Sequence, residues 1–245
     1  MFDALFTTTT EYQKLSHALS GKGACALFGL PASGRAQVYA ALCRQLDKPL
    51  CIVTPGEAEA TRFAADLNTL GIPAAVFPAR DYVLRPIEGT AREYEYRRLA
   101  VLGELVGGRL RAVAVPAEAL TQFTTPKEDF CANTRTLHAG DTLLRDDLLA
   151  ALFGAGYTRR AQVDGPGQFS VRGDIVDIFA PDQKMPVRME FWGDEIDTLH
   201  TFDLTTQRRE DAIDKFYLSP AREVLFGKPA DAAEQLQAFL AKQRG

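Results

Sequence analysis

Near residue 130 the spacing of apolar side chains changes from helical to alternating. This constrains the chain most, because a 3.6-residue period and a two-residue period cannot belong to one repeated unit. Two kinds of layer are therefore expected. Upstream, residues 24–28 form a short apolar run, and Gly29-Leu30-Pro31-Ala32-Ser33-Gly34 separates it from a helical face of Val38, Ala41, Leu42 and Leu46. The pattern predicts strand, glycine loop and helix. A second buried strand is expected over residues 50–53. Thr54-Pro55-Gly56-Glu57 then predicts a helix start with Thr54 as the capping hydroxyl. Ala60, Phe63, Ala64, Leu67 and Leu70 form that helix's stripe, and Gly71 ends it. A strand over 74–77, a helix near 90–106 closed by Gly107-Gly108, and a strand over 111–115 complete the series. Such alternation argues a parallel sheet covered by helices.

Downstream the elements differ. A helix is expected over residues 141–153, with Leu144, Leu148, Ala151 and Leu152 on one face and Gly154 and Gly156 at its end. In Gln168-Phe169-Ser170-Val171-Arg172, Phe169 and Val171 face one way and Ser170 and Arg172 the other; Gly173-Asp174 turns into the run 175–179. Val187, Met189 and Phe191 alternate with Arg188, Glu190 and Trp192, and Gly193-Asp194 makes a second turn. This is an antiparallel meander with a helix. The fold class expected is α/β: a parallel-sheet domain with a degenerate P-loop over 1–126, an inserted smaller α+β antiparallel domain over 127–217, and a return segment, 218–245, packing on the first domain. Leu236, Phe239 and Leu240 give that segment an amphipathic face.

Charge and composition narrow the function. The 245 residues carry a formal charge of -4. Residues 1–126 hold 13 basic and 12 acidic side chains, and 134–215 hold 10 and 15. Neither region has the excess of cations that phosphate neutralisation requires, so contact with nucleic acid is expected to be weak or indirect. An acidic module more naturally meets a protein. No apolar run approaches the roughly 18 residues of a membrane span, and Met1-Phe2-Asp3-Ala4 does not open a signal peptide; no membrane partner and a cytoplasmic address are expected. Cys25, Cys43, Cys51 and Cys131 lack C-x-x-C spacing and are expected as reduced, mostly buried thiols.

The candidate chemistry is sparse. Gly29, Ser33, Gly34, Arg35 and Ala36 fit the glycine frame of a phosphate loop, but Arg35 stands in place of the lysine and Ala36 in place of the magnesium-binding hydroxyl. Weak anion binding without hydrolysis is the reading, with a tight turn that binds nothing as its alternative. His17, His138 and His200 have no metal-ligand spacing, and no metal is expected. The carboxylates Asp174 with Asp177, and Asp194 with Glu195, lie at or beside predicted hairpin turns, where acidic residues serve the backbone; no catalytic residue is assigned. Arg92, Tyr94, Tyr96, Arg97 and Arg98 are expected on a solvated helix face.

The segments Tyr157-Thr158-Arg159, Gly167-Gln168-Phe169-Ser170-Val171-Arg172-Gly173-Asp174-Ile175-Val176-Asp177-Ile178-Phe179 and Val187-Arg188-Met189-Glu190-Phe191-Trp192-Gly193-Asp194-Glu195-Ile196-Asp197 closely resemble the second domain of the excision-repair protein UvrB. Phe202-Asp203, Thr206-Gln207-Arg208 and the run from Pro220 to Phe226 continue the match. With the worn phosphate loop ahead of it, nearly the whole chain is similar to the N-terminal UvrB-like module (domains 1a, 2 and 1b) of bacterial transcription-repair coupling factors. Arg35 and Ala36 favour those factors over UvrB, which keeps an intact loop. Residues 78–98, with only Tyr82, Tyr94 and Tyr96, are too short for UvrB's damage-probing hairpin.

The resemblance implies a non-catalytic module that docks the UvrA damage sensor. By motif position Arg159 and Arg172 match the family's UvrA-contacting arginines, with Tyr157 and Phe179 as apolar neighbours. Ser170 stands where UvrB has a further arginine, a loss that Arg160 could offset. The remaining partners implied are motor and RNA-polymerase-binding modules of a longer protein. ATP and Mg belong to that motor part, and this chain needs no cofactor. Two other classes stay open at this point: a nucleotide-binding ATPase module using the glycine loop, and a direct binder of damaged DNA.

Overall fold

The computed structural model describes residues 4–21, 24–46, 48–80 and 91–223. By contact they divide into two units, one of residues 1–84 and 101–123, the other of residues 85–100 and 124–245.

In the first unit α1 (Ala4–Thr7) and α2 (Thr10–Ser20) lead to α3 (Ala32–Gln45), β1 (Leu50–Thr54), α4 (Glu57–Thr69) and β2 (Ala74–Val76); the end of α5 (Ala91–Val106), whose residues up to 100 belong to the second unit, then β3 (Ala112–Pro116) and α6 (Ala117–Leu120) follow. The residue before α2, Thr9, accepts from the Tyr12 N–H, a hydroxyl cap for the first turn. The three strands form a parallel sheet in the order β1-β3-β2. One apolar cluster joins Ile52, Ala112 and Ala114 to Ala36 and Ala40 of α3 and to Ala60, Phe63, Ala64 and Leu67 of α4, the stripe read from the sequence. A second joins Val113 and Val115 to Phe77, Val101 and Ala119. The alternation of β3 thus feeds two clusters, as a strand buried on both faces must.

Three expectations fail here. Residues 24–28 form no strand and are exposed, Phe28 to 87%. Three of the five are Ala24, Cys25 and Ala26, side chains too small to offset much ordering entropy by burial. Thr54 does not cap α4: its hydroxyl donates to the Gly56 carbonyl at 2.9 Å, and Gly56 itself is the cap residue. Among the cysteines only Cys43 is buried; Cys25, Cys51 and Cys131 are exposed.

The second unit holds α7 (Lys127–Ala132), β4 (Arg135–His138), α8 (Arg145–Gly154), β5 (Thr158–Arg159), β6 (Gln168–Arg172), β7 (Ile175–Phe179), β8 (Val187–Trp192), β9 (Glu195–Phe202), β10 (Arg209–Ala212) and β11 (Lys215–Leu218). Six strands make one sheet in the order β10-β9-β8-β7-β6-β5, antiparallel except for the β5–β6 pair, and β11 pairs with β4 separately. Both expected turns are present, at Gly173 and Gly193. Helix α8 covers one sheet face. Leu148 and Leu152 pack on Phe169, Val176, Ile178, Val187, Met189 and Leu199. The helix starts at Arg145, not at 141, because residues 141–144 lie against the β8–β9 turn: Leu143 N–H donates to Asp194 O at 2.7 Å, and Thr142 bridges Glu195. Leu144 therefore misses the core and is 53% exposed.

Residues 218–223 lie within this second unit. Tyr157 Oη donates to Ser219 O at 2.7 Å and Ala221 N–H to Ala155 O at 2.8 Å. Arg98, expected on a solvated face, is fully buried and pairs with Glu223. The expected amphipathic face of Leu236, Phe239 and Leu240 lies outside the described residues.

Candidate partner-docking face

The glycine loop does not make a phosphate cradle. Helix α3 begins at Ala32, so Ser33, Gly34, Arg35 and Ala36 are already helical, and the Arg35 N–H donates to Pro31 O at 3.0 Å. A phosphate loop presents such N–H groups to the anion from a turn between strand and helix. Here the strand is absent and Gly29 stands apart from the other four. Arg35 reaches toward Glu59 at 4.0 Å and lies over the Phe63 ring at 5.9 Å, and Ala36 is core. Among the described residues no group of three or more His, Cys, Asp or Glu side chains is placed to hold a metal.

The six-stranded sheet offers more. Its outer face, opposite α8, carries a polar row that runs strand to strand: Ser170 pairs with Asp177, Asp177 with Arg188, and Arg188 with His200. Partners in register share a face, so alternation read from one strand extends across four. Asp177 is completely buried and accepts from two arginines. Arg188 donates through Nε to Oδ1 at 2.7 Å and through one terminal nitrogen to Oδ2 at 2.9 Å; Arg172 donates to Oδ2 at 2.8 Å. The hydrogen bonds to Asp177 raise the Arg188 pKa above its ordinary value, against the opposing effect of burial.

The segment after β9 closes part of this face. Asp203 accepts from the N–H groups of Thr205 and Thr206, and the bonds with Thr206 hold its carboxyl below the usual value. Gln207 follows with a φ of 60°, a left-handed conformation for a residue with a side chain, and its carbonyl accepts from Arg188 at 3.2 Å. The motif Thr206-Gln207-Arg208 thus marks a tight turn that holds Arg188 in place.

The anticipated docking residues separate into two groups. Arg172 stays half exposed, its side chain at 49%, and Arg159 is exposed on the edge strand β5. Tyr157 and Phe179 are not surface neighbours of the arginines: at 3% and 6% exposure they are core. Tyr157 is fixed by its bond to Ser219 O, and Phe179 sits with Val163 and Phe202 in a small apolar cluster. The two arginines do not share a face either. Arg159 is level with Phe169, which points to α8, whereas Arg172 leaves the opposite side of β6. Ser170 is buried, with no hydrogen-bond partner for its hydroxyl among the described residues. Asp177 and Arg188 were missed as a pair; the signal was their common outward parity on β7 and β8.

Residues 136–224 match the family model of the UvrB interaction domain. The chain is also similar to transcription-repair-coupling factors. It is 36% identical over 245 residues, 96% of its own length, to the one from Mycobacterium bovis. To that of Myxococcus xanthus it is 35% identical over 208 residues, 80% of its length. To that of Bacillus subtilis it is 28% identical over 213 residues, 86% of its length. It spans only about a fifth of the length of these curated relatives, 17–20%. No described helix is long and apolar enough to cross a membrane.

Proposed function

Because the chain carries a UvrB interaction domain and is homologous over most of its length to transcription-repair-coupling factors, we propose that it is a recruitment module of transcription-coupled excision repair. It binds the UvrA damage sensor on behalf of a larger DNA translocase and does no chemistry of its own. ATP, Mg and RNA polymerase are handled by other parts of that longer protein. The observation that carries the reading is Arg172: a half-exposed guanidinium on a rigid sheet, held from beneath by the buried Asp177 carboxylate. Such a group suits a partner's carboxylate, which it meets with paired donors. Arg159 on edge strand β5 is the second contact, reached by a partner that wraps the sheet edge. The acidic balance of residues 134–215 fits a protein partner better than a nucleic acid.

Calorimetric titration of the chain with UvrA tests this, beside Arg159→Ala, Arg172→Ala and the double variant, each checked for folding by circular dichroism. Each single variant is expected to weaken binding on the order of tenfold, more than the roughly 1 kcal/mol that most interface residues fall short of. Folded wild-type chain that does not bind UvrA defeats the reading. Because the two arginines leave different faces, their losses should add on a logarithmic scale, as independent sites do.

A further inference from the structure

The geometry points to Asp177 as the positioning residue of this docking face, a role that rests on the UvrA reading above: its buried carboxylate holds the Arg172 guanidinium ready for a carboxylate of the partner. A carboxylate in mid-sheet is costly unless its lone pairs are taken by cations or donors. Arg188 takes both oxygens of Asp177, and so fixes the plane of the carboxylate. Arg188 has little left to offer a partner. Its side chain is mostly buried, a terminal nitrogen donates to Gln207 O, and its guanidinium carbon lies 4.8 Å from the centre of the Phe202 ring. With Arg188 fixed, Oδ2 is aimed at Arg172, which gives it one bond and keeps the rest of a five-donor fork outside.

Charge points the same way. Among the described residues Arg172, Arg188 and Arg209 face only Asp177 and Glu190, so the cluster is one negative charge short; Asp177 is shared by Arg172 and Arg188, of which Arg172 is the more exposed. An acidic side chain on the partner completes it. An arginine already held by one edge loses less freedom on binding than a free one, which is how preorganisation raises affinity. The arrangement also requires a fork. A lysine ammonium has three donors on one atom and no planar fork, so it cannot present two parallel donors to a partner's carboxylate while held by Asp177.

The experiment is titration of the 245-residue chain with UvrA for wild type, Asp177→Asn, Arg172→Ala and the double variant, with thermal melts alongside. Asp177→Asn is expected to weaken binding about fivefold through the lost preorganisation, and to have no further effect once Arg172 is alanine. Folded Asp177→Asn that binds like wild type, or that weakens binding equally in the Arg172→Ala background, overturns the positioning role. Since Asp177→Asn takes the counter-ion from Arg188 and can unfold the sheet, Arg172→Lys is titrated as well: it is expected to bind well below wild type for want of the fork, and wild-type affinity overturns the proposal. Absence of wild-type binding defeats the docking reading and this role together. A loss with Arg172→Ala but none with Asp177→Asn defeats the role alone.

Discussion

Tyr157 shows how a residue can sit inside a recognition motif and serve the core instead. Burial pushes its phenol well above the ordinary value of 10.0, with the Asp182 charge adding to the shift and the hydrogen bond to Ser219 opposing it. The unfolded chain therefore ionises this tyrosine first. Below pH 10 both states hold the proton; above it the folded state keeps the proton that the unfolded state releases, and stability falls as pH rises toward the folded value. Tyr157→Phe should cost about 1 kcal/mol at neutral pH, for the lost bond to Ser219 O. It should also flatten the fall in urea midpoint between pH 9 and pH 11; a slope unchanged from wild type would show that Tyr157 is not its source. Phe179 teaches the same lesson from the other side of the sheet. Its outward parity on β7 was legible, but the cover supplied by Val163 and Phe202 was not, because it comes from segments 16 residues before it and 23 after it.

At the level of elements, the sequence revealed those whose pattern closes within a few residues and hid those that depend on distant partners. The β6–β7 and β8–β9 hairpins, and the stripe of α4, could be read because alternation, turn glycines and helical spacing are local. The strand expected over 24–28 could not be judged locally, since a short apolar run becomes a strand only beside a neighbour that accepts it. The two-residue strand β5 went unread for the converse reason, as Thr158 and Arg159 are placed by the ladder of β6. The turn from α8 into β5 allows a test. Gly156 has a φ of 86°, and a Cβ there would run into Arg222 Cγ and lie 2.8 Å from its Cβ. Gly140 has a similar φ of 89° with nothing within 4 Å. Gly140→Ala should cost about 1 kcal/mol for backbone conformation alone. Gly156→Ala should cost about 1–3 kcal/mol more, for the displacement of Arg222. Equal losses by urea denaturation would mean that the Arg222 segment yields freely. Deeper in the same element, Leu148→Ala or Leu152→Ala should each lose about 2–5 kcal/mol, since both side chains are fully buried against the sheet.

For the whole molecule the decisive contact joins residues 125 positions apart. Arg98 of α5 donates to both oxygens of Glu223 at 2.8–3.0 Å, both side chains are completely buried, and the Glu223 N–H donates to Glu95 while its carbonyl accepts from Thr125. The second unit is therefore discontinuous in sequence, with residues 85–100 supplying the partner for its last described residue. The domain expected from the sequence over 127–217 leaves out Arg98, Ser219, Ala221 and Glu223. The Arg98–Glu223 pair within that unit is one that no local pattern announces. Glu223→Gln should cost about 3–5 kcal/mol in the intact chain, because it removes one charge of a completely buried ion pair. The same logic ranks pieces of the chain. A piece spanning 85–224 keeps the pair, whereas one spanning 127–217 also gives up the Tyr157 bond to Ser219, and should melt well below it. A piece spanning 124–224 has no Arg98, so Glu223→Gln should cost much less there than in the intact chain. A loss as large in that shorter piece as in the intact chain would show that the Glu223 side chain does not act through the arginine.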